Sequence, residues 1–265
     1  MHLSSLLLLL ACSGGEPAPA PALPPAPSLT GPELTAAASR VFSPSPVETL
    51  AVMDRAGITK DLSGFVPRRK LAMDGKNVDL VALRTGVVLA DTVLILKDTT
   101  DEDLTLRMES VRVGLTRMGA GPALLSTLTG VLERHTNKGI TRDEMLRSLD
   151  EVVSAAVPES GVGPDDRTGP LLQAGAWLAT TNVAADAVLR VGSFDAAASL
   201  FHQQPVVDWF RSYVKTAGAE KADAELLRLL ETTLAELSGT AAKPTFDEAD
   251  VRLIRDRTAT LLGML

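Results

Sequence analysis

Two stretches of this chain, residues 80–96 and 171–191, are apolar on most sides when wound as helices, and they constrain the fold more than any other feature. A helix that is hydrophobic all round has to be enclosed, either by lipid or by other helices. Lipid is the poorer solution. The first stretch carries Arg84 and Asp91, the second Asn182, Asp186 and Arg190, and a charge at the bilayer centre costs about 2.5–3.5 kcal/mol on insertion scales. The remaining chain must therefore supply enough amphipathic helix to bury both segments at the centre of a bundle.

The periodicity supplies it. Leu104, Met108, Val111, Leu115 and Met118 share one helical face, as do Met145, Leu149, Val152, Val153 and Ala156. Leu226, Leu229, Leu230, Thr233, Leu234 and Leu237 form a third stripe, and Val251, Ile254, Thr258 and Leu261 a fourth, each at the 3.6-residue period. Ser45-Pro46-Val47-Glu48 combines an N-cap hydroxyl, Pro at the first helical position and an acid three residues after the cap. Thr100 with Asp103, Thr141 with Glu144, and Thr245 with Glu248 read as further capping boxes. Gly57, Gly119, Gly139, Gly192, Gly218 and Gly239 fall where helices should end. The sequence contains no clean β alternation and no hairpin turn. These signals predict an all-α body over residues 45–265, a single bundle of about nine or ten helices, with 158–170 a candidate subdomain boundary. Aromatic residues make up 3% and apolar residues 45%, mostly Ala, Leu and Val, a composition suited to close-packed helices. Asp91-Thr-Val-Leu and Asp186-Ala-Val-Leu end the two apolar stretches alike, but the residues before them do not keep register.

Before residue 45 the character changes. Pro17, Pro19, Pro21, Pro24, Pro25 and Pro27 alternate with small residues, a composition that favours polyproline II at about 3.1 Å per residue. Residues 12–44 thus read as a tether, with a short helix over 33–41. Ahead of it lies an apolar run that begins at Leu3 and stops at Ala11-Cys12. It is too brief for a hydrocarbon core, which takes roughly 20 apolar residues, and has the proportions of a signal-peptide h-region, although His2 stands where a Lys or Arg is usual. Leu9-Leu10-Ala11-Cys12 resembles the lipobox of bacterial lipoproteins. The resemblance implies removal of residues 1–11, a diacylglycerol on Cys12, a third acyl chain such as palmitate on its amino group, and a location in the cell envelope. Ser13 after the cysteine resembles the outer-membrane sorting pattern. Cys12 is the chain's single cysteine, so an exported body has no disulfide and relies on its core.

The candidate functional residues divide into two groups. Arg84, Asp91, Asn182, Asp186 and Arg190 lie inside the apolar stretches; they read as a structural ion-pair network between two central helices or as a polar site for a small ligand. Trp209, Phe210 and Tyr213 crowd into one segment and read as core anchors, or as a contact patch because Trp209 lies off the face shared by Val206, Phe210, Tyr213 and Ala217. Catalytic patterns are thin. Ser212-Tyr213-Val214-Lys215 matches Ser-x-x-Lys, the nucleophile motif of penicillin-binding proteins, with nothing else of that family beside it. His135, close to a helix end, reads as a surface residue, and His202 has no second His or Cys at metal-ligand spacing. Asp101-Glu102-Asp103 suits a helix first turn, and Arg68-Arg69-Lys70 reads as a solvated connector. No metal and no cofactor is expected, and a net charge of -7 argues against nucleic acid. The segments Leu83-Arg84-Thr85-Gly86-Val87-Val88-Leu89-Ala90-Asp91 and Gly175-Ala176-Trp177-Leu178 resemble loosely those of uncharacterised exported helical bacterial proteins, which bring no activity with them. The expectation is a lipid-anchored binding or scaffold module whose partner is an envelope protein or a small ligand.

Overall fold

Ser45 opens the first helix through a reciprocal cap. Its Oγ accepts from the Glu48 amide at 3.1 Å, and the Glu48 carboxylate accepts from the Ser45 amide at 2.8 Å. The computed structural model describes residues 43–59, 62–67, 69–160, 168–215 and 224–265, with the backbone alone at 153–160, 224 and 226. Among these residues every regular element is helical. The α-helices are α1 (Pro46–Arg55), α2 (Val78–Ile95), α3 (Asp101–Arg117), α4 (Pro122–Thr136), α5 (Arg142–Ser160), α6 (Thr168–Val191), α7 (Ala197–Phe201), α8 (Gln204–Tyr213), α9 (Ala224–Ala241) and α10 (Glu248–Leu262). Short 3₁₀ turns occupy Leu62–Gly64 and Phe194–Ala196. The described residues all belong to one compact unit. The lipobox, and the tether with its predicted helix up to residue 42, lie outside the described residues.

The two apolar stretches are α2 and α6, and both are central. They pack on each other more extensively than any other pair of helices. A Cβ added at Gly86 would stand 1.9 Å from the carbonyl oxygen of Leu172, and one added at Gly175 would stand 2.0 Å from that of Leu83. Each glycine thus meets the residue three before the other, with Leu83-x-x-Gly86 facing Leu172-x-x-Gly175. Two backbones approach this closely only where neither carries a side chain at the crossing. The internal match thus lies at these two Leu-x-x-Gly segments, in a different register from the Asp-x-Val-Leu endings. Gly114 of α3 instead makes room for a side chain of α2, since an added Cβ would meet Thr85 Oγ1 at 2.0 Å.

All-round apolarity follows from two cores that share this spine. Val87, Ala90, Leu94 and Ile95 of α2 join most of α6, together with α1, α7, α8, α9 and α10, in one hydrophobic cluster. Val88, Leu89, Val93 and Leu96 join Leu172 and the apolar faces of α3, α4 and α5 in the other. The predicted stripes of α3 and α10 are buried as expected, apart from a half-buried Met118. No helix among the described residues is long and apolar enough to cross a membrane.

Several local expectations are corrected. The last helix is capped by Asp247 with Asp250, not by Thr245 with Glu248; Asp247 carries its own acceptor for the Asp250 amide at 2.9 Å, and Phe246, between the two candidate caps, is drawn into the core. At the end of α4 the left-handed residue is Lys138, at φ 55°, one before Gly139, and the Gly139 amide closes the turn on Arg134 O at 2.7 Å. Gly239 lies inside α9, which runs on through the buried Thr240 to the buried Ala241. Leu229 is 41% exposed and leaves the α9 stripe to Leu230, Thr233, Leu234 and Leu237. Helices α5 and α6 reach into the predicted 158–170 loop from both ends. Gly218, Ala217 and Arg68, and the side chains of Val153, Ala156 and Leu226, lie outside the described residues.

Candidate functional site

Asp91 is the most deeply placed acid among the described residues, with a side chain 1% exposed in the body of α2. Its partner is Arg69 of the α1–α2 connector, whose Nη1 lies 3.4 Å from Oδ2 and 3.5 Å from Oδ1. Removal from water raises its pKa from 3.8 to about 6, against the opposing pull of Arg69 and then of Arg107 from α3. Arg69 was expected in solvent; its side chain is 14% exposed because it follows the carboxylate inward, while Lys70 stays exposed.

The other residues of the predicted polar set go elsewhere. Arg84 donates from Nε to the main-chain oxygen of Leu265 at 2.6 Å and from Nη1 to Ala72 O at 2.9 Å. Asn182 donates from Nδ2 to Arg255 O at 2.9 Å and to Thr258 Oγ1 at 3.0 Å. Asp186 pairs with Arg255 at 3.9 Å. Arg190 lies over the Phe65 ring, 4.0 Å from its centroid. The five residues therefore do not converge. Each ties a central helix to an outer element or to the connector, and the α2–α6 crossing itself is occupied by glycine.

The aromatic segment splits by depth. Phe210 is buried, with its ring centroid 5.4 Å from that of Trp177. Trp209 and Tyr213 are half-buried and stacked at 5.6 Å, and Trp209 meets Phe210 edge-on at 5.0 Å. Trp177 donates its indole N–H to Gln203 Oε1, and Gln203 Nε2 donates to Leu200 O. This links α6 to the start of α8 through an amide engaged at both its oxygen and its nitrogen.

His135, expected at the surface, is buried. Its Nε2 lies 3.7 Å from Asp101 Oδ1, and the same carboxylate holds Arg142 at the start of α5. Asp103 in the same first turn of α3 accepts from Arg107 Nε and from Thr99 Oγ1, each at 2.9 Å. His202 is exposed and its Nε2 bonds Lys243 O at 2.5 Å. Lys215 sits 2.9 Å from Glu231, which holds that carboxyl below its usual range. Its ammonium is thus engaged by an acid on α9. No group of three or more metal-ligating side chains lies together among the described residues. Sequence reasoning missed the role of Gly86 and Gly175, where the available signal was a glycine inside an apolar helix with no turn to make, and of Gly114, a glycine inside an amphipathic one. No family model matches the chain, and comparison with curated proteins and with solved structures finds no match.

The Asp91 geometry makes a prediction about pH. The folded carboxyl binds its proton more tightly than the unfolded one, so between pH 4 and pH 6 the folded state holds more protons and stability falls as pH rises. The shift of about two units corresponds to roughly 3 kcal/mol lost by pH 7. Urea denaturation of wild type and Asp91→Asn at pH 4 to 7.5 should show the variant matching wild type at the acid end and exceeding it at neutrality.

Proposed function

We propose that this chain is a bacterial lipoprotein. Cleavage precedes Cys12, acyl chains on Cys12 hold it to the membrane, residues 12–44 act as a spacer, and the helical body serves as a non-catalytic binding or scaffold module in the envelope. The observation that carries this reading is Leu9-Leu10-Ala11-Cys12 at the end of a short apolar run, directly before a Pro-rich tract and a body without another cysteine. Two acyl chains anchor firmly where one binds only marginally. Ser13 favours the outer membrane. A non-catalytic role is supported by the use already made of the chemically capable side chains: Lys215 is tied to Glu231, His135 to Asp101, and Asp91 to Arg69. Cys12→Ala should move the protein from the membrane fraction to the soluble fraction of lysed cells. An unchanged membrane share in that variant contradicts acyl anchoring.

A further inference from the structure

The connector between α1 and α2 is fastened at points along its length. Leu62, Phe65 and Val66 enter one hydrophobic cluster and Met73 enters the other. Arg190 of α6 covers Phe65, Arg84 of α2 takes Ala72 O, and Arg117 of α3 reaches Asp74 O at 3.3 Å. Between the anchors at Val66 and Met73, Arg69 turns inward to Asp91, which has 1% of its side chain exposed. The segment thus lies over the one deeply buried carboxyl of α2 and supplies its counterion.

We propose that connector residues 62–67 and 69–77 form a pH-dependent cover over Asp91, closed while the carboxyl is protonated and opening more often as the carboxylate forms. Among the described residues, the charges acting on Asp91 are Arg69 from the connector and Arg107 from α3, and Arg107 is shared with Asp103. The described ionisable groups of α6, Asp186 and Arg190, are engaged by Arg255 and Phe65. On α2 itself Arg84 is held by Leu265 and Ala72. Arg69 therefore moderates the opening: it makes the buried carboxylate tolerable without restoring what water would give it. A carboxyl that titrates near 6 under the cover and near 3.8 in water makes opening about tenfold more frequent at pH 7 than at pH 5. The cover does not depend on acylation of Cys12.

Hydrogen–deuterium exchange of the full chain tests this at the amides of Phe65, Val66 and Arg69, which bond Leu62 O, Leu62 O and Pro67 O in the closed segment. After correction for intrinsic exchange rates, protection over 62–77 should fall about tenfold from pH 5 to pH 7 in wild type. It should stay level in Asp91→Asn, and in Arg69→Gln the transition should move to higher pH. Protection over 62–77 that is independent of pH, while the amides of α10 still vary, overturns the proposal, because the opening would then leave Asp91 buried. So does Asp91→Asn with the wild-type pH dependence. If Asp91→Asn fails to fold, Arg69→Gln decides alone, and an unmoved transition is the contrary result.

Discussion

Gly86→Ala is expected to destabilise the body by about 3 kcal/mol, at the upper end of overpacking, and to lower the melting temperature by roughly 10 °C for a domain of this size. The added Cβ would stand 1.9 Å from Leu172 O and 2.8 Å from Ala176 N. Both are backbone atoms of a central helix, so no rotamer change relieves the contact and the two helices must separate. Separation loosens both hydrophobic clusters at once, because each is built on α2 and α6. Gly175→Ala should behave alike, since its Cβ would stand 2.0 Å from Leu83 O. The double variant should cost less than the sum, because one separation accommodates both methyls. The control is Gly239→Ala, in a helix with nothing within 4 Å of the new Cβ; it should stabilise by about 0.5–1 kcal/mol through helix propensity alone. Thermal and urea denaturation distinguish the two. A wild-type melting point for Gly86→Ala would mean that the α2–α6 crossing is not as described.

Trp177→Ala is expected to cost about 3–5 kcal/mol. The indole is 4% exposed, its ring centroid lies 5.4 Å from that of Phe210, and its N–H is donated to Gln203. Truncation leaves a void between α6 and α8 and removes the donor from a partly buried amide oxygen, and a lost buried hydrogen bond adds to the cavity cost. Trp177→Phe keeps the ring and loses the donor, so it should cost about 1–2 kcal/mol. Equilibrium urea denaturation reads both values. Trp177→Phe also leaves Trp209 as the single indole, and its emission should be that of a half-buried ring at the edge of α8.

The class of fold was legible because it is written locally. Caps at Ser45, Thr100 and Thr141 and the stripes of α3 and α10 each involve residues within a turn or two of one another. The enclosure of 80–96 and 171–191 was legible from the absence of a polar face. What was not legible is long-range. Nothing near Asp91 in the sequence points to Arg69 in a connector, and nothing near Asp186 points to Arg255. The errors at Thr245 and Gly139 are choices between neighbouring residues with similar propensities, the first decided by the burial of Phe246, and α9 passes Gly239 to bury Thr240 and Ala241. The polar set failed as a site for a related reason. Four-residue spacing places Asn182, Asp186 and Arg190 on one stripe, but the packing of α10 against α6 takes the first two, and the connector's Phe65 takes the third.

The central claim is that Cys12 is acylated and becomes the first residue of the mature protein. Mass spectrometry of the N-terminal peptide from the membrane fraction tests it most directly. The account predicts a peptide that begins at Cys12 and carries a diacylglyceryl thioether, with a further acyl chain on its amino group. A peptide that retains residues 1–11, or one with a free thiol at position 12, would contradict it.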